Sequence, residues 1–205
     1  QKIMLQKKKI DASEMGRHLE IVNEEVDRLN MIVRDFLFAV RPMDTRPIFQ
    51  DLNQIVHDLI NFMQIELEQA QIEVEFELGT IPQILLDDKY IKQALLNLIK
   101  NAQEAMSGGG HLTLKTYQEN EHVILEVRDN GQGIPEDIRE KIFEPYFTTK
   151  DFSSGLGLTL VYKIIKEHKG DISIDTREGR GTTFTLTFPV PQGEKRLIGY
   201  MKKEE

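Results

Sequence analysis

Between Met15 and Val40 the apolar positions Met15, Leu19, Val22, Val26, Leu29, Val33, Phe36 and Val40 recur with gaps of 4, 3, 4, 3, 4, 3 and 4. That spacing keeps one side of a helix apolar through successive heptads, while Glu20, Glu24, Glu25, Asp27, Arg28 and Arg34 decorate the rest. A stripe this regular needs other helices to bury it. Residues 1–10, QKIMLQKKKI, read as the tail of a preceding helix, and a second copy of the chain would complete a four-helix bundle. The alternative is an amphipathic helix packed on its own globular domain. Asp11 and Ser13 offer the N-cap. Arg41-Pro42 ends the helix, because proline disfavours helical geometry in the residue before it. PMDTRP, residues 42–47, then reads as a hinge.

Beyond the hinge the periods mix. Asp51 to about Gln69 is helical, with Leu52, Ile55, Val56, Leu59, Ile60 and Met63 on one side. Ile72 to Leu78, IEVEFEL, alternates as a strand with one wet face, and Gln83 to Leu86 is a short apolar strand. Gln93 to Met106, QALLNLIKNAQEAM, carries Leu95, Leu96, Leu98 and Ile99 at helical spacing and reads as the core helix. After a glycine-rich break at Ser107 to Gly110, His111 to Tyr117 and His122 to Asp129 read as strands. Pro135 to Phe143 predicts a short helix and Gly155 to His168 a longer one. Asp171 to Thr176 and Thr182 to Val190 form a last hairpin. Helices and strands segregate without regular βαβ alternation. The expected class is therefore α+β: a two-layer sandwich with a mainly antiparallel sheet covered on one face, preceded by the helical segment. The charged tail after Pro191 is expected to be mobile.

Composition narrows the function. A net charge of −8 with dispersed basic residues argues against a nucleic-acid surface. The absence of cysteine excludes thiol chemistry and a disulfide framework, and fits a reducing cytoplasm. No apolar run is long enough to span a bilayer, and no signal peptide opens the chain. The sequence begins at Gln1, so a piece of a longer protein is expected.

Candidate chemistry clusters in the second half. Asn97 and Asn101 lie four apart on one edge of the core helix. An amide carbonyl there is a hard, neutral oxygen that suits Mg²⁺ already carrying phosphates and waters, although solvent exposure or backbone capping would use the same residues. VRDNGQGI, Val127 to Ile134, delivers Asp129 at a strand end followed by Gly131 and Gly133. A carboxylate in that place accepts from an exocyclic amino group, which distinguishes adenine from guanine; taken alone, Asp-Asn-Gly is first a turn signal. IFEPYFTTK, Ile142 to Lys150, is an aromatic loop ending in two hydroxyls and a cation. SSGLGLTL, Ser153 to Leu160, opens a helix through glycines, which presents free N–H groups to anions. EGRGTTF places Gly181 and Thr182 at a strand start.

In this order the Asn97–Asn101 helix, VRDNGQGI, IFEPYFTTK and SSGLGLTL resemble the N box, first glycine box, aromatic box and second glycine box of sensor histidine kinases, within the GHKL, or Bergerat-type, ATP-binding superfamily that includes gyrase and MutL. VNEEVDRLNMIVRDFLFAVRP resembles the second helix of the kinase dimerisation domain, and FEPYFTTK with a short lid is similar to the nitrogen-regulator type. The resemblance implies residues 1–41 as truncated dimerisation helices, 42–47 as linker, 48–191 as the catalytic ATP-binding domain and 192–205 as tail. It implies ATP and Mg²⁺ as ligands, with Asn101 on the metal, Asp129 on adenine, and Gly131, Gly133 and Ile134 in the turn beneath the base. Gly155, Leu156, Gly157 and Leu158 match the phosphate-side lid, Thr182 a hydroxyl near adenine, and Lys150 a point charge for the terminal phosphate. Asn97 stands where hydrolysing relatives carry a glutamate base. Asparagine takes no proton near neutrality, so the site is expected to deliver the γ-phosphoryl group to a nucleophile brought from elsewhere. The implied partners are a second copy, through the N-terminal helices, and a response-regulator receiver domain.

Two departures stand out. The family's acceptor is a histidine on the first helix followed by an acidic residue and Asn-Pro, and none of His18, His57, His111, His122 and His168 has that context. Ser153 stands where the family often has a lid glycine. Three rivals remain open: a non-catalytic nucleotide-binding module acting through its heptad helix, an ATPase clamp like MutL, and a serine kinase of an anti-anti-sigma partner. Asn97 disfavours the clamp, and the long heptad helix disfavours the serine kinase.

Overall fold

The computed structural model describes residues 15–19, 21–23, 26, 29, 33, 43–149 and 154–191. Every described position from 15 to 33 is helical, and the seam residues Met15, Leu19, Val22, Val26, Leu29 and Val33 are each 46–58 % exposed. Phe36 and Val40 of the seam, Lys150, and the charged tail after residue 191 lie outside the described residues.

The described residues between 48 and 189 build ten elements, β1 (Ile48–Gln50), α1 (Leu52–Gln69), β2 (Ile72–Leu78), β3 (Ile84–Leu86), α2 (Asp88–Ala105), β4 (Gly110–Glu119), β5 (His122–Asp129), α3 (Gly157–Glu167), β6 (Asp171–Arg177) and β7 (Gly181–Pro189). Five strands form one sheet in the order β2-β4-β5-β7-β6. Only β2 and β4 run parallel; the other neighbours are antiparallel. A separate antiparallel ladder joins β1 to β3. The expected α+β sandwich is what forms.

Alternation sets the layers. Along β7, Phe184, Leu186 and Phe188 are buried under the helices, while Thr183, Thr185 and Thr187 lie half-buried on the other face. On α2, Ile91, Ala94, Leu95, Leu98, Ile99 and Ala102 make one buried stripe, so this helix lies between sheet and solvent along its length. Leu96, expected on that face, is only half-buried at its margin. The open face of edge strand β2 carries exposed Glu73, Glu75 and Glu77, charges that discourage edge-to-edge pairing.

The boundaries differ from the pattern where capping decides. Asp51 starts α1 by accepting the Asn53 N–H at 2.9 Å. α2 begins five residues before Gln93, because Asp88 in its first turn complements the helix dipole although it breaks the apolar period. The expected helix at Pro135–Phe143 is not formed. Ile138, Arg139, Lys141 and Glu144 each donate to the carbonyl three residues back, giving successive turns that lay Ile138 and Ile142 on one cavity wall. β1 was not expected, since three residues carry no period of their own.

Candidate functional site

The inner-face stripe of β5 ends in a polar group. Asp129 closes the strand on the buried side, where the period demands an apolar residue, and is only 6 % exposed. Its Oδ1 accepts the Gly131 N–H at 2.9 Å and the Thr182 N–H at 3.3 Å. Burial raises its pKa above the ordinary carboxylate value, and these two backbone donors oppose that rise. Both donors use Oδ1, which leaves Oδ2 for a ligand in the cavity that Asp129 lines.

The turn after Asp129 is held on three sides. Gln132 N–H donates to the Ala105 carbonyl at the end of α2, Gly179 N–H donates to the Gln132 carbonyl at 2.7 Å, and Ile134 N–H donates to Thr176 Oγ1 at 2.9 Å. Gly133 has φ +68°, and a Cβ there would lie 2.2 Å from the Arg177 carbonyl oxygen, so only glycine fits. Thr182, 5 % exposed, shares a hydroxyl contact of 3.0 Å with Thr176, whose own hydroxyl lies 3.2 Å from the Gly181 carbonyl. Apart from Asp129 Oδ2, the buried polar groups around the turn are thus mutually satisfied before any ligand arrives.

These elements enclose a cavity of about 190 Å³. Asn101, Asp129, Gly133, Ile134, Gly155, Gly157, Leu158 and Thr182, all expected site residues, line it together. Asn97 does not. It sits one turn earlier on α2, where its amide approaches the Gly157 carbonyl at 3.4 Å and bridges α2 to the start of α3. Gly131 and Leu156 are also set back from the cavity: Gly131 supplies an N–H to Asp129, and Leu156 is 2 % exposed as the N-cap residue of α3. Lys150 falls outside the described residues.

Sequence reasoning missed much of the apolar wall. Ala102, Ala105, Ile138 and Phe184 line the cavity but carry no local signal beyond belonging to a core. Ile142, Phe147, Thr148 and Thr149 also line it, and they lie in the aromatic segment singled out as a unit. Thr176 was missed because its role is to hold the Gly133 turn from the neighbouring strand. Among the described residues no group of three or more His, Cys, Asp or Glu could hold a metal, and the described side chains that bring oxygen to the cavity are Asn101, Asp129, Gln132, Thr148, Thr149 and Thr182.

The model for histidine kinase-, DNA gyrase B-, and HSP90-like ATPases matches residues 86–192, which spans α2 to β7 and therefore the entire cavity. The chain belongs to this ATPase family. Its ATPase domain binds ATP, and the cavity between α2, α3 and the ends of β5 and β7 lies within the matched region. Sporulation kinase E of Bacillus subtilis (strain 168) is 33 % identical over 178 residues, covering 85 % of this chain and 24 % of the relative. Sensor histidine kinase ZraS of Escherichia coli (strain K12) is 35 % identical over 181 residues, covering 85 % of this chain and 39 % of ZraS. The chain thus spans well under half the length of these relatives. It matches the whole solved catalytic domain of histidine kinase ThkA, with 33 % identity and a TM-score of 0.66 over 72 % of this chain. ThkA solved in complex with the response regulator protein TrrA gives a TM-score of 0.75 at 30 % identity, covering 88 % of this chain and 53 % of that one. Among the described residues no helix is long and apolar enough to cross a membrane.

Proposed function

We propose that this chain is the catalytic, ATP-binding portion of a two-component sensor histidine kinase, working in the cytoplasm as a homodimer. It transfers the γ-phosphoryl group of MgATP to a histidine supplied from outside these residues, and from there to the receiver domain of a response regulator. The observation that carries the reading is the buried Asp129, saturated on Oδ1 by the backbone and facing the same cavity as Asn101. Asp129 Oδ2 accepts the adenine amino group. Thr182 and the Gly131–Ile134 turn frame the base.

The residues fit a magnesium–phosphate group. Asn101 offers one hard amide oxygen, and among the described residues no carboxylate cage surrounds it, which suits an ion that keeps its waters and takes most of its ligands from phosphates. When bound, Mg²⁺ neutralises charge on the phosphates. Gly155 to Leu158, at the start of α3, place amide N–H groups and the positive dipole end beside them. Lys150 adds a point charge to the terminal phosphate. Asn97 accepts no proton, so water is not activated at its position, and the γ-phosphoryl group waits for the histidine.

With γ-labelled ATP the chain is expected to remain unlabelled. His18, His57 and His122 are exposed, His111 pairs with Glu73 at 3.3 Å, and His168 is buried, none with acceptor context. Adding a dimerisation domain with an intact H-E-x-x-N-P helix should place acid-labile label on that helix. Acid-labile label on any of the five histidines here would contradict the reading.

The exposed heptad stripe supports the dimer. Burying a valine or leucine contributes roughly 1.5–3 kcal/mol, so a few seam residues outweigh the cost of association. Val26→Asp and Leu29→Asp each place an unpaired charge in the seam. Sedimentation should show both variants as monomers that bind MgATP like the parent, since the cavity lies beyond the hinge. Loss of nucleotide binding together with the dimer would refute this separation of roles.

A further inference from the structure

Phosphoryl transfer, as proposed, gives no task to His168. It is 4 % exposed and follows α3 as its C-cap residue. Its Nδ1 lies 2.7 Å from the Ile164 carbonyl oxygen, so Nδ1 carries the proton, and Nε2 accepts the Asp87 N–H at 2.9 Å. Asp87 is the N-cap residue of α2, yet its carboxylate makes no capping bond to that helix. An aspartate in that position ordinarily uses its side chain on the first free amides of its own helix. Here Oδ2 accepts the Arg46 N–H at 2.9 Å instead. Arg46 belongs to the short segment that precedes the ATPase domain.

These bonds form one line, from Arg46 to Asp87 to His168 to the last turn of α3. The helices they join run antiparallel. The start of α2 meets the end of α3 at Asp87 and His168, and Asn97 meets Gly157 near the other end. Beyond that second contact α2 presents Asn101 to the cavity, while the start of α3 presents Gly157 and Leu158. A pin at one end of two packed rods sets the gap at the other, and at 1.5 Å per residue Asn101 lies roughly 20 Å along α2 from the pin.

We propose that Asp87 and His168 are positioning residues that transmit the placement of residues 43–47 to the nucleotide cavity, so that ATP affinity depends on whether the Arg46 N–H is engaged. This rests on the ATP-site reading above. With the bond made, the Asp87 backbone is fixed on His168, and α2 and α3 hold their spacing around the phosphates. With it broken, the pivot is loose and the bound geometry must be recovered at the expense of affinity.

Arg46→Pro deletes the single N–H, and Pro47 already imposes extended backbone at position 46. Calorimetric titration of MgATP into the whole 205-residue chain should show Kd raised about fivefold, the lower end of ordinary coupling between sites. Arg46→Ala keeps the N–H and removes only an exposed ion pair to Asp44, so it should bind like the parent. His168→Asn keeps a donor for Ile164 but cannot reach Asp87. It should weaken binding similarly, and adding Arg46→Pro to it should change nothing further. His168→Gln restores an acceptor for Asp87 and should restore the response to Arg46→Pro. If His168→Asn does not fold, Asp87→Ala serves as the silent background. An unchanged Kd in Arg46→Pro, or effects that multiply in the double variants, overturns the proposal. A parent chain that fails to bind MgATP is a different result, and it removes the ATP-site reading itself.

Discussion

Asp129→Asn is expected to weaken MgATP binding by about 10- to 150-fold, the equivalent of one hydrogen bond to a charged acceptor, about 1.5–3 kcal/mol. The amide can still accept from Gly131 and Thr182, but it then turns its NH₂ group toward the adenine amino group, donor against donor. The unliganded fold should not suffer. Burial raises the Asp129 pKa, so its ionised form costs stability at neutral pH. The sign follows from linkage: a carboxyl whose folded pKa lies above its unfolded value of 3.8 contributes stability below that value, and loses it as pH rises through the folded pKa. Without nucleotide the variant should melt at or above the parent temperature near neutrality. The difference should shrink as pH falls through the raised pKa toward 3.8. With MgATP at about a hundred times the parent's Kd the order should reverse, because the ligand stabilises the parent by roughly 2.7 kcal/mol and the weaker-binding variant by no more than about 1.4 kcal/mol. Melting curves with and without MgATP check both halves. Parent and variant responding alike would remove Asp129 from the site.

Gly181→Ala should be the most damaging single methyl in the domain. Gly181 opens β7 with φ +96°, and a Cβ there would sit 2.0 Å from the Asp129 carbonyl oxygen and 2.8 Å from Asn130 Cα. The strained backbone alone costs on the order of 1–3 kcal/mol, and the contact is with backbone, which cannot rotate away. Relief requires β7 to move off β5, which breaks the Thr182 N–H bond to Asp129. Both stability and nucleotide affinity should fall. Gly179→Ala is the control: φ there is +73°, but nothing lies within 4 Å of the added methyl. Its cost should be limited to the left-handed backbone, about 1–2 kcal/mol, with affinity close to the parent. Urea titrations and calorimetry on the pair distinguish steric damage at the site from simple backbone strain. Equal affinities in the two variants would show that the β5–β7 junction does not shape the cavity.

Much of the domain is local in origin. β2 and β5 were readable to the residue, because alternation states both the element and its inward face. α1 was readable because Asp51 caps it where the apolar stripe begins. Asp129 could be singled out because a carboxylate stands where the β5 period calls for an apolar side chain, with two glycines behind it. The start of α2 and the expected helix at Pro135–Phe143 were misplaced for one reason. Capping and turn preferences at those ends outweigh the period, which is all that sequence spacing reports.

Local spacing was enough for most of the elements, though not for β1 or for the turns that replace a helix at 135–143, and for the heptad stripe before them and the polar residues at their ends. Each of those depends on neighbours within a few positions along the chain. Tertiary packing brings Asn101, Asp129, Gly155 and Thr182 to one cavity, while Asn97 instead bridges two helices. It alone joined Asp87 to His168, 81 residues apart, and Thr182 to Asp129, 53 apart. Burial and hydrogen-bond partnership between such distant positions follow from how the layers stack, and stacking leaves no periodic trace in either partner's local sequence.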